Sequence, residues 1–290
     1  MTEPAPRRVK AGDIRLSVRE AGEGEPVVLL HGFPEIGYSW RHQIAALGDA
    51  GYRAVAPDLR GYGASDRPAA VAAYALPALA GDIAELISAL GEDSAHLVGH
   101  DWGGSICWAL AARRPELVRS LAILNSPHPI ASAEARLTSE QRRLSLYMLL
   151  VQFVGVAEAW LRDGDFANLR DTFFDTAAEG TFTDEDVEVS LAALGADGAV
   201  TAALNYYRAN MPPASWLRPP PDLPAITVPT TIIWGMADAY MSPQLLEGSA
   251  ARVEGPLVVE RLPGVSHWVQ QEAPTEVNEL LIAHLERVST

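Results

Sequence analysis

The chain has 290 residues, enough for one large domain or a domain with an insertion, and its 48% hydrophobic and 20% charged content fits a soluble globular class. A formal net charge of −15 argues against nucleic-acid binding, which relies on Lys and Arg to neutralise phosphates, and no apolar run approaches the ~20 residues needed to span a bilayer. Cys107 is the single cysteine, so no intramolecular disulfide can form; with no leader-like apolar stretch in residues 1–10, the expected location is the cytoplasm.

Residues 13–20 alternate apolar and polar side chains (Ile14, Leu16, Val18), the pattern of a strand in an edge hairpin. Pro26-Val27-Val28-Leu29-Leu30 is continuously apolar and predicts a strand buried on both faces of a parallel sheet, ending in His31-Gly32-Phe33-Pro34. A helix is expected over residues 40–47, then a second core strand, Ala54-Val55-Ala56-Pro57, leading into the loop Asp58-Leu59-Arg60-Gly61-Tyr62-Gly63. Leu79, Ile83, Leu86, Ile87 and Leu90 recur at helical spacing. Ala95-His96-Leu97-Val98 reads as a buried strand, residues 105–114 as a helix, and Leu121-Ala122-Ile123-Leu124 as the next core strand. Alternating strands and helices imply a parallel sheet with right-handed crossovers, whose ligands collect at the carboxyl ends of the strands. His31, Asp58, Asp101 and Asn125 all lie at such ends.

The pattern then changes. Residues 133–210 show helical periodicity without a convincing strand, with Leu144, Tyr147, Met148 and Val151 on one stripe and Val200, Leu204 and Tyr207 on another. The proline-rich residues 211–229 suit an extended linker. Strand character returns at Thr230-Thr231-Ile232-Ile233-Trp234 and at Leu257-Val258-Val259. The simplest organisation is an α/β core formed by residues 1–132 and 224–290, with an all-helical cap inserted at 133–223.

Between the strand at 95–98 and the helix after it stands Gly99-His100-Asp101-Trp102-Gly103-Gly104, a turn too tight for Cβ atoms at its flanking glycines. Asp101 there is either a helix cap bonding an exposed backbone N–H or the nucleophile of a strand-to-helix elbow. The Gly-x-Asp-x-Gly spacing alone leaves these two readings even. The later chain decides between them. An elbow nucleophile needs an acid and a base, in that order, at later strand ends. Asp238 follows the strand ending at Trp234, and His267 follows the last strand. Of the other histidines, His96 sits within a strand, His42 and His284 on helices, and His100 and His128 have no acid suggested for them. His31 is read as positioning its own loop.

Three segments now carry a specific resemblance: His31-Gly32-Phe33-Pro34-Glu35, the Asp101 elbow and the Asp58-to-Gly63 loop. Together they resemble the epoxide hydrolases of the α/β-hydrolase superfamily, over nearly the whole length from Arg15 to Leu285. Gln152, Gly155-Val156-Ala157-Glu158-Ala159 and Asn205-Tyr206-Tyr207-Arg208 extend it into the cap; Val154 departs from the proline usual there. The resemblance implies an α/β-hydrolase fold and two cap tyrosines that bind and protonate the epoxide oxygen, matched locally by Tyr147 and Tyr207. Tyr206 stands one register step from Tyr207 and remains its rival, read with Trp102 and Pro34 as a substrate-side residue. The oxyanion donors are expected at the backbone N–H groups of Phe33 and Trp102.

A carboxylate suits this chemistry because Asp, with an ordinary pKa of about 3.9, is ionised without help and can displace a leaving group at an sp³ carbon. The epoxide oxygen stays tethered and needs a proton, which a phenol supplies better than water does. His267, oriented by Asp238, then activates the water that attacks the ester carbon of Asp101. The expected product is a vicinal diol, with no metal or organic cofactor. The expected partner is a small-molecule epoxide, with neither nucleic acid nor membrane, and a homodimer is compatible with the sequence.

Each residue also has a blander reading. An aromatic on an apolar stripe is usually packing, Phe33 could be a plain loop residue, and Trp102 could line the cap floor. Haloalkane dehalogenase chemistry shares the Asp nucleophile, but those enzymes carry an Asn where this chain has Phe33, and halide has no use for phenols. Fluoroacetate dehalogenases carry an Arg at the position of Trp102. A silent binding protein would be expected to lack part of the triad, and Ser105 lies too far into the helix for a serine esterase.

Overall fold

The computed structural model describes residues 6–289; the first five residues of the segment read for a leader, and Thr290, lie outside them. Alternation in residues 13–20 becomes β2 (Ile14–Ala21), but the sheet edge is taken by β1 (Arg7–Ala11), joined to it by a turn at Gly12, where φ is +58°. Arg7, Arg8 and Lys10 face outward on β1 and leave Val9 and Ala11 as its buried residues, too faint a pattern to stand out in sequence. The remaining core strands follow as β3 (Pro26–Leu30), β4 (Arg53–Asp58), β5 (Ala95–His100), β6 (Val118–Leu124), β7 (Thr230–Gly235) and β8 (Leu257–Leu262).

They form one eight-stranded sheet in the order β1-β2-β4-β3-β5-β6-β7-β8. β1 and β2 pair antiparallel, as do β2 and β4, and every later pairing is parallel. Leu30 lies beside Gly99, His100 beside Leu124, and Leu124 beside Ile233, so the carboxyl ends of four strands finish level with one another.

The continuous apolar strands are buried on both faces, as parallel sheets require. Val27 and Leu29 of β3 pack with Trp40, with Ile44 and Leu47 of α1 (Arg41–Asp49), and with Val277 and Leu281 near the C-terminus. Val28 and Leu30 face the opposite cluster, which holds Ile83 and Leu86 of α2 (Leu76–Ala89) and Ile106 and Leu110 of α3 (Trp102–Arg113). Cys107 of α3 is fully buried, and burial pushes its thiol pKa up, which keeps it an inert packing group.

Between the neighbouring strands β6 and β7 lie α4 (Pro129–Ala135), α5 (Ser139–Leu144), α6 (Tyr147–Leu150), α7 (Val156–Thr176), α8 (Asp184–Gly195) and α9 (Ala199–Asn210), with no strand among them. Residue 133, the expected start of the cap, falls within α4. α7 is broken at Asp163–Phe166, where the backbone leaves helical geometry. The proline-rich linker contains one 3₁₀ turn at Pro213–Leu217 and a single bridge from Ile226 to Val253. α10 (Pro243–Ala250), α11 (Val269–Glu272) and α12 (Pro274–Ser289) complete the core. Among the described residues, no single helix is long and apolar enough to cross a membrane.

Candidate active site

The elbow forms where β5 gives way to α3, and its centre is Asp101 at φ 49° and ψ −118°. A non-glycine residue at positive φ is strained and persists only where its surroundings hold it. Here the surroundings are dense. A Cβ at Gly103 would overlap the Leu30 and His31 carbonyl oxygens, and one at Gly32 would overlap the Asp101 side chain itself. The Asp101 carbonyl accepts from Ser105 N–H at 3.0 Å and from Ser126 Oγ at 2.6 Å.

Asp101 does not cap α3 through its side chain. Its Oδ1 instead accepts the Phe33 N–H at 2.9 Å, across 68 residues of sequence. That loop is tied down by His31, whose Nδ1 donates to the Gly32 carbonyl at 2.9 Å while its Nε2 accepts the Leu59 N–H at 3.0 Å. Burial lowers the His31 pKa, so the ring is neutral and this pair of bonds defines its tautomer.

Asp238 and His267 meet where the sequence expects them. His267 Nδ1 donates to Asp238 Oδ2 at 2.7 Å, with side-chain exposures of 5% and 1%. Burial works against a charge on His267, but Asp238, its hydrogen bond, Asp101 and Glu35 outweigh it and raise the pKa to about 9. Burial likewise opposes ionisation of Asp238, yet His267, Asn125 and the Tyr240 N–H hold its pKa below the usual carboxylate value.

Asn125, at the end of β6 with φ 37°, is a member of the site that motif spacing could not assign. Its Nδ2 donates to Asp238 Oδ2 at 2.7 Å and to the Gly235 carbonyl at 3.1 Å, and its Oδ1 accepts the Gly235 N–H at 2.7 Å. Its only signal in sequence is an amide at a core strand end. Sequence also offered no acid for His100, whereas the fold pairs its Nδ1 with buried Glu35 at 3.2 Å and aims its Nε2 at the His267 carbonyl, 2.9 Å away.

Two cavities of about 550 Å³ and 150 Å³ meet at Asp101, and Tyr147, Tyr207, Tyr240 and Met241 line both. The smaller also reaches Phe33, Pro34, His267 and Trp268, and the larger runs past Trp102. The Tyr207 ring stands 5.1 Å from Trp102, 5.7 Å from Phe33 and 6.0 Å from Tyr147. Burial first, and then the charge of Asp101 among other groups, raises both phenol pKa values, so both are proton donors at neutral pH. Tyr240, unremarked in the sequence, packs its ring 5.3 Å from His267.

The fold does not bring Tyr206 to this space. Its hydroxyl donates to the Arg60 carbonyl at 2.7 Å, its ring is fully buried against Tyr62 and Tyr74, and neither cavity includes it. One residue along α9 turns the side chain by about 100°, which separates the packing tyrosine from the cavity tyrosine.

A family model described as alpha/beta hydrolase fold matches residues 25–274. The chain is 35% identical to epoxide hydrolase 3 of Xenopus tropicalis, covering 94% of this chain and 75% of that protein. It is 34% identical to epoxide hydrolase A of Mycobacterium tuberculosis, covering 98% of both. The chain belongs to the epoxide hydrolase family of α/β-hydrolases. This α/β-hydrolase is also 38% identical to the AB hydrolase superfamily protein YfhM of Bacillus subtilis, over 96% of each. Among solved structures, it superposes on an epoxide hydrolase from Bacillus megaterium in complex with an inhibitor with a TM-score of 0.89 at 33% identity, covering 97% of this chain and 100% of that one.

Proposed function

We propose that the chain hydrolyses epoxides to vicinal diols through a covalent ester on Asp101, with residues 133–223 serving as the cap. The observation that carries this reading is that Asp101, Tyr147 and Tyr207 line the same two cavities, a carboxylate and two protonated phenols sharing one space. Phe33 N–H occupies Asp101 Oδ1, which leaves Oδ2 as the attacking oxygen. Oδ2 displaces the epoxide C–O bond, and the released oxygen takes its proton from the tyrosines.

The electrostatics support a coupled sequence. Forming the ester neutralises Asp101, and the negative charge moves to the departing oxygen. That removes one cause of the raised tyrosine pKa values at the moment a proton is needed. The same event removes one of the carboxylates that raise the His267 pKa, which lowers it and favours the neutral base that the second step needs. His267 then takes a proton from water, the hydroxide adds to the Asp101 carboxyl carbon, and the Phe33 and Trp102 N–H groups stabilise the oxyanion. Its collapse breaks the ester C–O bond; the departing diol oxygen takes the proton from His267, and the Asp101 carboxyl proton restores the phenol. Halide chemistry is the weaker reading, since Phe33 offers no side-chain donor and the phenols would be idle.

In a single turnover in isotopically labelled water, the diol should carry little label, because its new oxygen comes from Asp101. Full labelling in that turnover would overturn the covalent route. The companion measurement is an assay of styrene oxide beside n-butyl bromide, where turnover of the bromide alone would transfer the reading to halide chemistry.

A further inference from the structure

Asp238 stands on a segment with little backbone support of its own. Residues 238–242 form neither helix nor strand, and among the described residues no backbone-to-backbone hydrogen bond reaches residues 238–241. The carboxylate is fixed instead by the Tyr240 and Met241 N–H groups, which donate to Asp238 Oδ1 at 2.7 Å and 3.0 Å. Oδ2 is thereby left for His267 and Asn125. The aim of the carboxylate at the base depends on where residues 240–242 are held.

A side chain from α5 holds them. Gln141 Nε2 donates to the Tyr240 carbonyl at 2.9 Å, and Gln141 Oε1 accepts the Ser242 N–H at 2.9 Å, across about a hundred residues of sequence. One amide thus pairs with a carbonyl and an N–H two residues apart, as a residue of a neighbouring parallel strand would. Gln141 and Ser242 are both buried, where an unpaired amide or N–H is costly. The reversed amide would set its NH₂ group against the Ser242 N–H, so the bonds themselves fix its orientation.

The other end of the connection is the turn that carries a cavity phenol. Gln141 Nε2 also donates to Ser145 Oγ at 3.0 Å, and the Ser145 N–H donates to the Gln141 carbonyl at 2.9 Å. Ser145 lies two residues before Tyr147, and its carbonyl accepts the Met148 N–H at 3.1 Å. The two sides touch a second time through the Tyr240 ring, which stands edge-on to Tyr147 at 6.0 Å and to His267 at 5.3 Å.

We propose that Gln141 is a positioning residue for both steps of the reaction, its amide holding the segment that bears Asp238 against the turn that bears Tyr147. The proposal rests on the epoxide reading above and deepens it. One side chain then sets the phenol for opening of the epoxide and the acid–base pair for hydrolysis of the ester. Small displacements of either group slow its step, because each works only within hydrogen-bond reach.

Gln141→Leu removes the amide and keeps much of its bulk. With styrene oxide in rapid-quench experiments read by intact mass, ester formation and ester hydrolysis should each slow by about tenfold, the equivalent of one buried hydrogen bond. Ser145→Ala, which removes one of the bonds that orient the amide, should slow both by less. A readout independent of turnover is the low-field proton resonance of the His267 Nδ1–H in its 2.7 Å bond to Asp238, which should broaden or move upfield in Gln141→Leu. A purely structural loss would lower the melting temperature and leave that resonance in place. If melts show that the Leu variant does not fold, Ser145→Ala reads the same two rates and the same resonance. An unmoved resonance, or slowing confined to one step or absent from both, overturns the proposal. Failure of the wild type on every epoxide overturns the epoxide reading instead, and the resonance then still tests whether Gln141 holds the Asp238 segment.

Discussion

At the scale of single residues, the site is organised by one strained position. Asp101 holds φ 49° in surroundings so close that neither Gly32 nor Gly103 has space for a Cβ, and its carboxylate accepts the Phe33 N–H instead of capping α3. The charge of that carboxylate then acts on its neighbours. Asp101→Asn should move the His267 pKa down from about 9, read by NMR titration of the imidazole, because one of the causes raising it is removed. The same shift has a sign in stability. A histidine whose folded pKa lies above its ordinary 6.5 contributes stability in full below 6.5 and loses it as pH rises through about 9. Melting temperatures of the wild type should therefore decline over that window, and in Asp101→Asn the decline should finish at lower pH. An unchanged His267 titration would show that the Asp101 charge does not act on the imidazole. A second residue-scale expectation concerns Tyr147 and Tyr207, whose double replacement by Phe should abolish epoxide opening in a stopped-flow assay of ester formation; retained opening would return both to packing roles.

Elements decide what single residues cannot. The stripe of Leu144, Tyr147, Met148 and Val151 predicts one helix, but the chain divides there into α5 and α6, and Tyr147 opens the second. α9 fixes the other tyrosine, and it is fastened to the segment around α6 by Arg208. Arg208 reaches both oxygens of Glu158 at 2.7 Å and 3.0 Å and donates to the Val151 carbonyl at 2.9 Å. Despite burial, Arg208 and nearby backbone N–H groups hold the Glu158 pKa at about 2. Its contribution is complete above 4.5 and is lost as pH falls through about 2. At neutral pH, Glu158→Gln leaves the Arg208 charge uncompensated at 6% side-chain exposure, and should cost about 2–3 kcal/mol in denaturant unfolding while lowering kcat. A stability within a few tenths of wild type would show that the pair does not hold α9 against α7.

For the whole molecule, the question is how the helices between β6 and β7 stay in register with the sheet over Asp101. Asp186 of α8 bonds Tyr38 at 3.0 Å and Arg41 of α1 at 2.9 Å, both from the core. Trp268, whose ring lies 5.3 Å from that of His267, donates to Thr176 of α7 at 2.9 Å. Asp186→Ala should therefore lower the melting temperature by about 2 °C or more and raise KM. Removing Glu188, whose pair with Arg170 is largely exposed, should do neither. Equal effects from the two variants would mean that Asp186 is no latch.

What the sequence determined by itself was local. Continuous apolar strands, glycines at fixed offsets and an Asp, Asp, His order are properties of short stretches, and they suffice for the α/β class, the elbow and the Asp238–His267 pair. Tertiary structure decided whatever depended on contacts across the chain. Asn125 reached the site because β6 lies beside β7, and His100 acquired Glu35 because β3 lies beside β5. Tyr206 and Tyr207 are equivalent in a one-dimensional pattern, and only the packing of α9 turned one to Arg60 and the other to Asp101. The reason is physical: strand and helix periods are written in neighbouring residues, whereas a cavity exists only where separate elements fail to close upon one another.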